Sequence, residues 1–182
     1  MLNKPVGCVT ALKDDKYKTV MDYIKIKERI FPIGRLDYNT SGLLLFTNDG
    51  DFANKVMHPR YEITKTYSVQ LYSVISDDKI RSIEEGVMLR DGKSAPTKVK
   101  KLGNSLIEIT VHEGRNRIVR RILNTLKLKV KFLERVKVGG LELGDLSEGK
   151  YKTLSKKDLD KIFIWLVNST LFMRRCRSGQ TG

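Results

Sequence analysis

One segment of the sequence places a carboxylate, a cation and two hydroxyls between glycines. Residues 34–42 read Gly-Arg-Leu-Asp-Tyr-Asn-Thr-Ser-Gly, and they lie between the apolar stretches 31–33 and 43–46. A polar loop held between buried segments is a common location for an active site. Asp37 could act there as a nucleophile or a general base, with hydroxyls and backbone amides fixing its direction. The alternative is that Asp37 only accepts hydrogen bonds from turn amides, as aspartate often does.

A second segment concentrates positive charge at the start of a predicted helix. Residues 113–121 read Glu-Gly-Arg-Asn-Arg-Ile-Val-Arg-Arg, with four arginines within seven residues. Arg117 and Arg121 are spaced i, i+4 and share one side of the helix, with Arg120 beside them. This pattern favours a helix that binds phosphates and turns one arginine towards a buried carboxylate. A solvated basic face is the alternative.

A third candidate is the tyrosine of Lys65-Thr66-Tyr67, at the start of a strand with alternating polarity. Tyr67 could be a stacking platform for a base that has left its helix. An ordinary core or edge tyrosine is the alternative, and the tyrosine taken alone favours that alternative.

Metal and disulfide chemistry find little support in the sequence. The cysteines Cys8 and Cys176 and the histidines His58 and His112 do not stand at metal-ligand spacing. We expect two reduced thiols and no structural zinc site. The chemistry then falls to carboxylates, hydroxyls and cations.

The elements that must position these side chains predict an α+β fold with a mixed or antiparallel sheet flanked by helices. Residues 43–46 form a continuous apolar run, typical of a strand buried on both faces. Residues 117–126 have apolar positions at helical spacing, with Asn116 as a candidate N-cap. The other predicted strands are 2–10, 66–72, 106–111 and 130–138, and the other predicted helices are 19–26, 51–57, 76–84 and 155–166.

No internal repeat or low-complexity linker divides the chain, so we expect a single domain. This domain is predicted to span residues 1–167. Residues 168–182 are predicted to be a tail, disordered or introduced by cloning, because its end is polar and contains glycine. Within the domain, Asp91-Gly92 indicates a turn between strands at 87–89 and 97–101.

The composition indicates a polyanionic partner. The 182 residues include 35 Lys and Arg against 21 Asp and Glu, a formal net charge of +14. Such a surplus destabilises a compact protein by self-repulsion unless a polyanion binds it, and nucleic acid is favoured over a membrane surface. No stretch approaches the roughly 18 apolar residues of a spanning helix. The N-terminus lacks the pattern of a signal peptide, so we expect a cytoplasmic protein that does not associate with membranes.

Taken in order along the chain, these segments resemble the RsuA/RluB family of pseudouridine synthases, and most closely the large-subunit RluB type. The resemblance covers residues 2 to about 159, and several blocks in the family's order are far more specific than any one block. The blocks are Leu2–Gly7, Pro32–Asp37, Gly42–Gly50, Lys65–Tyr67, Glu113–Arg117, Val119–Arg121 and Leu133–Arg135.

The resemblance implies a fold, a reaction and roles for particular residues. The expected fold is the pseudouridine synthase catalytic fold, and the expected reaction turns a uridine of ribosomal RNA, expected to be 23S, into pseudouridine without a metal or an organic cofactor. Asp37 matches the catalytic aspartate, Tyr67 the tyrosine that stacks on the target base, and Arg120 the cation that pairs with that aspartate. Five further cations are expected to face RNA: Arg35, Lys65, Arg115, Arg117 and Arg121.

Two departures from the family pattern leave an alternative open. Family members commonly carry an S4-type RNA-binding domain before the first block, and here that block begins at Leu2, so we expect the domain to be missing. Ile118 stands where the family more often has Gln or Glu. Together with the positive charge, Ile118 leaves open a non-catalytic RNA-binding or ribosome-assembly module as the alternative. A metal-dependent nuclease or phosphatase that uses Asp37 and Asp49 is disfavoured by the lack of clustered carboxylates. We expect a monomer.

Overall fold

A mixed β-sheet crosses the part of the chain that this computed structural model describes, residues 1–163. Its strands follow the order β1-β3-β9-β4-β8-β7, with β2 paired to β3 and β10 paired to β9. Only β3 and β9 are parallel among the described strand pairs. The strands are β1 (Leu2–Lys4), β2 (Phe31–Ile33), β3 (Ser41–Thr47), β4 (Lys65–Leu71), β5 (Met88–Leu89), β6 (Gly92–Lys93), β7 (Lys98–Lys101), β8 (Leu106–Val111), β9 (Val130–Val138) and β10 (Leu141–Glu142).

Four α-helices flank the sheet, so the predicted α+β class with a mixed sheet is confirmed. They are α1 (Gly50–Met57), α2 (Asp77–Glu85), α3 (Ile118–Thr125) and α4 (Lys156–Ile162), and two 3-10 turns cover Val20–Tyr23 and Pro59–Tyr61. Side chains cap two of the helices. Asp49 accepts hydrogen bonds from the first amides of α1, and Ser155 forms a reciprocal capping box on α4.

The apolar run of β3 contributes to two hydrophobic clusters, which explains why it does not alternate. Leu43 and Leu45 pack with Val56 of α1 and Ile162 of α4, whereas Leu44 packs in a separate cluster with Leu2. The prediction of a strand buried on both faces is confirmed. A third cluster joins α2 and α3 to the sheet, and its fully buried members include Val69, Ile83, Ile107, Ile109, Ile122 and Leu123.

Some local predictions differ from the structure. The turn at Asp91-Gly92 joins β5 to β6, not to the strand after residue 97, because β7 pairs with β8 across the hairpin that follows. Arg117, not Asn116, holds the N-cap position of α3, in a left-handed conformation and without a side-chain cap. The first strand ends at Lys4, before Pro5. The predicted boundary at residue 167 and the tail 168–182 lie outside the described residues.

Gly42 permits the parallel contact that brings the sheet's two halves together. It pairs with Arg135 of β9, and its φ of +103° is one that side chains rarely adopt. A Cβ atom at this position would lie 2.3 Å from the Arg135 carbonyl oxygen. The β3–β9 junction therefore requires glycine for its backbone conformation and also for its close approach.

We predict that Gly42→Ala destabilises the protein much more than Gly92→Ala. Gly92 has a similar φ of +105°, but a Cβ atom there would meet nothing within 4 Å. Gly92→Ala should therefore show only the cost of the conformation, about 1–3 kcal/mol. Gly42→Ala adds the clash and should lower the free energy of unfolding by at least about 2 kcal/mol more. Urea unfolding measures both, and equal losses would show that the approach to Arg135 is not a constraint.

Candidate active site

A pocket of about 380 Å³ opens over β4 and β9, between the loop that follows β2 and the loop that precedes α3. It brings together seven of the eight residues that sequence analysis proposed for the site, and only Arg121 is not part of its lining. The seven are Arg35, Asp37, Lys65, Tyr67, Arg115, Arg117 and Arg120. Residues 80 positions apart in the chain therefore share one cavity.

Asp37 lies at this pocket with its carboxylate in an ion pair. Arg117 Nη1 lies 3.0 Å from Asp37 Oδ2, and the side chains of Asp37 and Arg117 are 28% and 48% exposed. Arg117 reaches the carboxylate from the position just before α3, where its φ is +52°. A left-handed backbone is uncommon for a residue other than glycine, and such conformations concentrate at functional sites.

Arg120 does not make the ion pair with Asp37 that the resemblance implied. Its Nη2 donates to the Asn39 carbonyl at 2.6 Å and lies 3.4 Å from Thr40 Oγ1. Arg117 instead provides the ion pair, because Arg120 stands one turn inside α3 and reaches the backbone of the Asp37 loop. Burial lowers the pKa of Arg120, the charge of Arg117 lowers it further, and Asp37 opposes both.

Lys4 holds the Asp37 loop in place through hydrogen bonds, a role that the sequence did not predict. Its fully buried Nζ donates to three carbonyl oxygens, those of Pro5 at 2.9 Å, Asp37 at 3.1 Å and Thr40 at 3.0 Å. Burial lowers the pKa of this lysine, while Cys8 and Asp37 raise it. The only signal in the sequence was a lysine within the predicted strand 2–10, where a buried charge must find partners.

The pocket floor is formed by side chains from the two central strands. Tyr67 on β4 lies opposite Arg135 on β9 and is partly buried between two hydrophobic clusters. Arg135 Nε donates to the Leu43 carbonyl at 2.7 Å, which ties the floor to β3. Lys65 Nζ donates to the Ile63 carbonyl at 2.6 Å, and burial, aided by the charge of Arg135, lowers its pKa to about 8.

Arg115 and Arg121 are held by carboxylates of the protein itself. Both nitrogens at the tip of Arg121 contact Asp91, and Arg115 lies 3.3 Å from the same carboxylate. Arg115 also pairs with Glu113 at 2.7 Å. These contacts attach the β5–β6 hairpin to the segment that carries Arg117, so the two arginines stabilise the pocket wall.

No group of three or more His, Cys, Asp or Glu side chains in residues 1–163 is arranged to hold a metal ion. Asp49, the second carboxylate of the nuclease alternative, accepts hydrogen bonds from the amides of Asp51 and Phe52 at the start of α1. No helix in the described part of the chain is long and apolar enough to cross a membrane.

Comparison with known proteins decides the family. Residues 1–125 match the sequence profile of a family described as RNA pseudouridylate synthase, which is more than half of the 182 residues. The chain belongs to the RNA pseudouridine synthase family. The pocket, with Asp37 at its edge, lies within the matched residues except for its β9 side.

This pseudouridine synthase is similar to curated relatives over nearly its whole length. It is 45% identical over 170 residues to ribosomal large subunit pseudouridine synthase B of Bacillus subtilis, covering 89% of this chain and 70% of that protein. It is 34% identical over 169 residues to the dual-specificity RNA pseudouridine synthase RluF of Shigella flexneri, covering 93% of this chain and 58% of that protein. The resemblance to the RsuA/RluB family is thereby confirmed.

A solved structure confirms the fold of this pseudouridine synthase. A crystal structure of a pseudouridylate synthase superposes with a TM-score of 0.83 at 32% identity, covering 88% of this chain and 71% of that one. The predicted pseudouridine synthase catalytic fold is therefore correct.

We predict that the two pocket arginines differ in their contribution to stability. Arg120→Ala removes a half-buried guanidinium that bonds the Asn39 carbonyl, which should cost about 1.5–3 kcal/mol of unfolding free energy. Arg117→Ala removes a half-exposed ion pair with Asp37, which should cost less than about 1 kcal/mol. Urea unfolding of the two variants makes the comparison, and a larger loss for Arg117→Ala would contradict these contacts.

Proposed function

We propose that this protein isomerises a uridine of ribosomal RNA, in 23S RNA, with Asp37 as the nucleophile. The observation that supports this most is the Asp37 carboxylate in a cation-lined pocket across from Tyr67. The Bacillus subtilis relative is named as a large-subunit ribosomal enzyme, which supports the substrate. Residues 1–167 would form the catalytic domain.

The pocket suits a single nucleotide that has left its helix. Its volume of about 380 Å³ is too small for a duplex, so the target uridine must be extruded to reach it. Extrusion costs a few kcal/mol, and stacking of the base on the Tyr67 ring offsets part of that cost. Tyr67 is only partly buried, which leaves ring surface for the base.

The proposed reaction replaces the bond between the ribose and uracil N1 with a bond between the ribose and uracil C5. The Asp37 carboxylate attacks or assists at the nucleotide while the bond between uracil N1 and the ribose breaks. The detached uracil turns inside the pocket. Its C5 atom then bonds to the ribose carbon, which breaks any bond that Asp37 has formed and regenerates the free carboxylate. The C5 proton then leaves to the Tyr67 hydroxyl or to water, and N1 gains a proton, so substrate and product have the same atoms.

The cations around Asp37 have separate tasks in this proposal. Arg117 compensates the charge of the carboxylate directly and fixes its direction. Arg120 and Lys4 hold the backbone of the same loop through its carbonyl oxygens. Preorganised charges of this kind lower the barrier without reorganising during the reaction. Arg35 and Lys65, at the pocket lining, would contact the RNA backbone.

The reaction as proposed needs neither a metal nor an organic cofactor, because every step uses a carboxylate, a hydroxyl or water. We further propose that the protein acts as a monomer in the cytoplasm. The apolar Ile118 does not argue for a merely binding role. It is 5% exposed and packs in the cluster under α2 and α3, so it forms an apolar wall of the pocket.

We predict that Asp37→Asn abolishes turnover and leaves RNA binding intact. The amide keeps the shape of the side chain but is not a nucleophile, so turnover should fall more than about a thousandfold. Tritium release from unmodified ribosomal RNA labelled at uracil C5 measures the loss of the C5 proton. Asp51→Asn, on the exposed side of α1, is the matched control and should keep wild-type turnover.

Two outcomes of that assay would reject the proposal. Turnover by Asp37→Asn at the wild-type rate would remove Asp37 as the nucleophile. Binding of ribosomal RNA by the wild type with no tritium release would leave the non-catalytic module as the better description.

We predict that Tyr67→Phe separates the stacking and proton-transfer roles of this ring. The phenylalanine ring can still stack, so RNA affinity should stay within about twofold of wild type, whereas Tyr67→Ala should weaken it by about 1–3 kcal/mol. If the hydroxyl removes the C5 proton, turnover of Tyr67→Phe should fall about a hundredfold or more. Wild-type turnover by Tyr67→Phe would assign that proton to water, and unchanged affinity of Tyr67→Ala would exclude stacking.

A further inference from the structure

Three lysines alternate with apolar residues where α3 passes into β9. Residues 126–133 read Leu-Lys-Leu-Lys-Val-Lys-Phe-Leu and contain no Asp or Glu. Lys127, Lys129 and Lys131 are exposed, whereas Leu128 and Leu133 between and beyond them are buried. In residues 1–163, no carboxylate lies within ion-pair distance of any of these three lysines.

Two large aromatic side chains are exposed beside these lysines. Phe132 is 63% exposed and Tyr72 is 69% exposed, although both stand at the central pair of strands. Tyr72 follows β4 directly, and its amide donates to the Lys129 carbonyl at 3.1 Å. Lys131 Nζ lies 5.6 Å from the centre of the Phe132 ring. We call these five residues (Tyr72, Lys127, Lys129, Lys131 and Phe132) the aromatic–lysine patch.

A β-bulge turns the patch to the side of β4 and β9 opposite α2 and α3. Gln70 pairs with Phe132 and Leu71 pairs with Val130, so Lys131 is the extra residue between two strand pairs. Leu71 and Val130 pack towards α2 and α3. By strand alternation Gln70 and Tyr72 lie on the other side, and the bulge brings Lys131 and Phe132 there as well.

The patch has clear limits. Leu133, the residue after Phe132, lines the pocket, so the patch and the pocket lie on opposite faces of β9. Along β9 the patch ends at Glu134, the first acidic residue after Phe132, which pairs with Ser68 of β4. The Asp77 carboxylate, at the start of α2, lies 3.0 Å from Lys101 Nζ at the end of β7. Lys101 therefore compensates the negative charge of Asp77. Lys127 lies seven residues beyond Arg120, the last residue of α3 that lines the pocket, which is a rise of about 10 Å along a helix.

We propose that the aromatic–lysine patch is a second RNA-binding site, which holds RNA beyond the target uridine. The lysines would bind phosphates, and Phe132 and Tyr72 would stack on unpaired bases. Lysine is depleted in protein–protein interfaces, so three lysines among two aromatics fit RNA better than another protein. This inference rests on the proposed function for the identity of the RNA, but binding can be measured without catalysis.

The test of the lysines is binding to a fluorescein-labelled single-stranded RNA of about 40 nucleotides, followed by anisotropy over a range of salt. A variant with Lys127, Lys129 and Lys131 changed to Gln should bind about tenfold or more weakly, and the salt slope should fall by about two. The matched control changes Lys152, Lys156 and Lys157 to Gln. These lysines are exposed and lie in or near α4, and changing them to Gln removes the same number of positive charges.

The control separates a local site from general attraction. It should lose less than about threefold in affinity, since it changes only the long-range field. Equal losses in the two variants would overturn the proposal. Tritium release by the wild type is a separate measurement. If no tritium is released, the binding assay still tests the patch, and if the patch variants bind normally, the tritium assay still tests the proposed reaction.

The aromatic side chains have their own test. Phe132→Leu keeps an apolar side chain but removes the ring, and it should weaken RNA binding about tenfold without changing the salt slope. Phe132→Tyr keeps the ring and should restore wild-type binding. Wild-type affinity of Phe132→Leu would overturn the stacking role. A dimer in sedimentation that Phe132→Ala dissociates would show instead that the patch binds a second copy of the protein.

Discussion

A buried ammonium group is the contact on which the site depends. Lys4 places a charge where no water reaches it, and such a charge is stable only with hydrogen-bond partners. It takes those partners from carbonyls of Pro5, Asp37 and Thr40, so the first strand and the Asp37 loop are fixed to one atom. The loop cannot move without leaving the ammonium unpaired. A lost partner for a buried charge costs far more than a lost surface ion pair, so the loop is rigid before RNA binds.

The parallel contact of β3 with β9 extends this rigidity across the sheet. Gly42 follows the Asp37 loop directly and approaches the backbone of Arg135 more closely than any side chain would allow. Arg135 in turn donates to the Leu43 carbonyl and lies opposite Tyr67. The carboxylate and the aromatic ring are thus placed on one framework, although Asp37 and Tyr67 are 30 positions apart in the chain.

Sequence patterns predicted the sheet and the family, and they named seven residues that line the pocket, because each has a local signature. The double-sided burial of β3 was visible as an uninterrupted apolar run, and the Asp37 loop as polar residues between two such runs. The sequence did not reveal that Arg117, and not Arg120, forms the ion pair with Asp37. This pairing depends on the left-handed backbone at Arg117, which a pattern of charges does not reveal. Lys4 was equally hidden, because its partners are carbonyls 33 and 36 residues away.

The distribution of partners among the cations divides them into two kinds. Arg115 and Arg121, which the sequence suggested for RNA, are bound to Asp91 and Glu113, and RNA would have to displace those carboxylates to use them. A guanidinium that shares two carboxylates gains little by exchanging them for phosphate, since one charged hydrogen bond replaces another. The formal net charge of +14 must therefore act through cations elsewhere. Arg115 and Arg121 build the wall of the pocket through planar contacts. Arg35 and Lys65 at the pocket lining and the lysines of the aromatic–lysine patch would then meet the phosphates of the RNA.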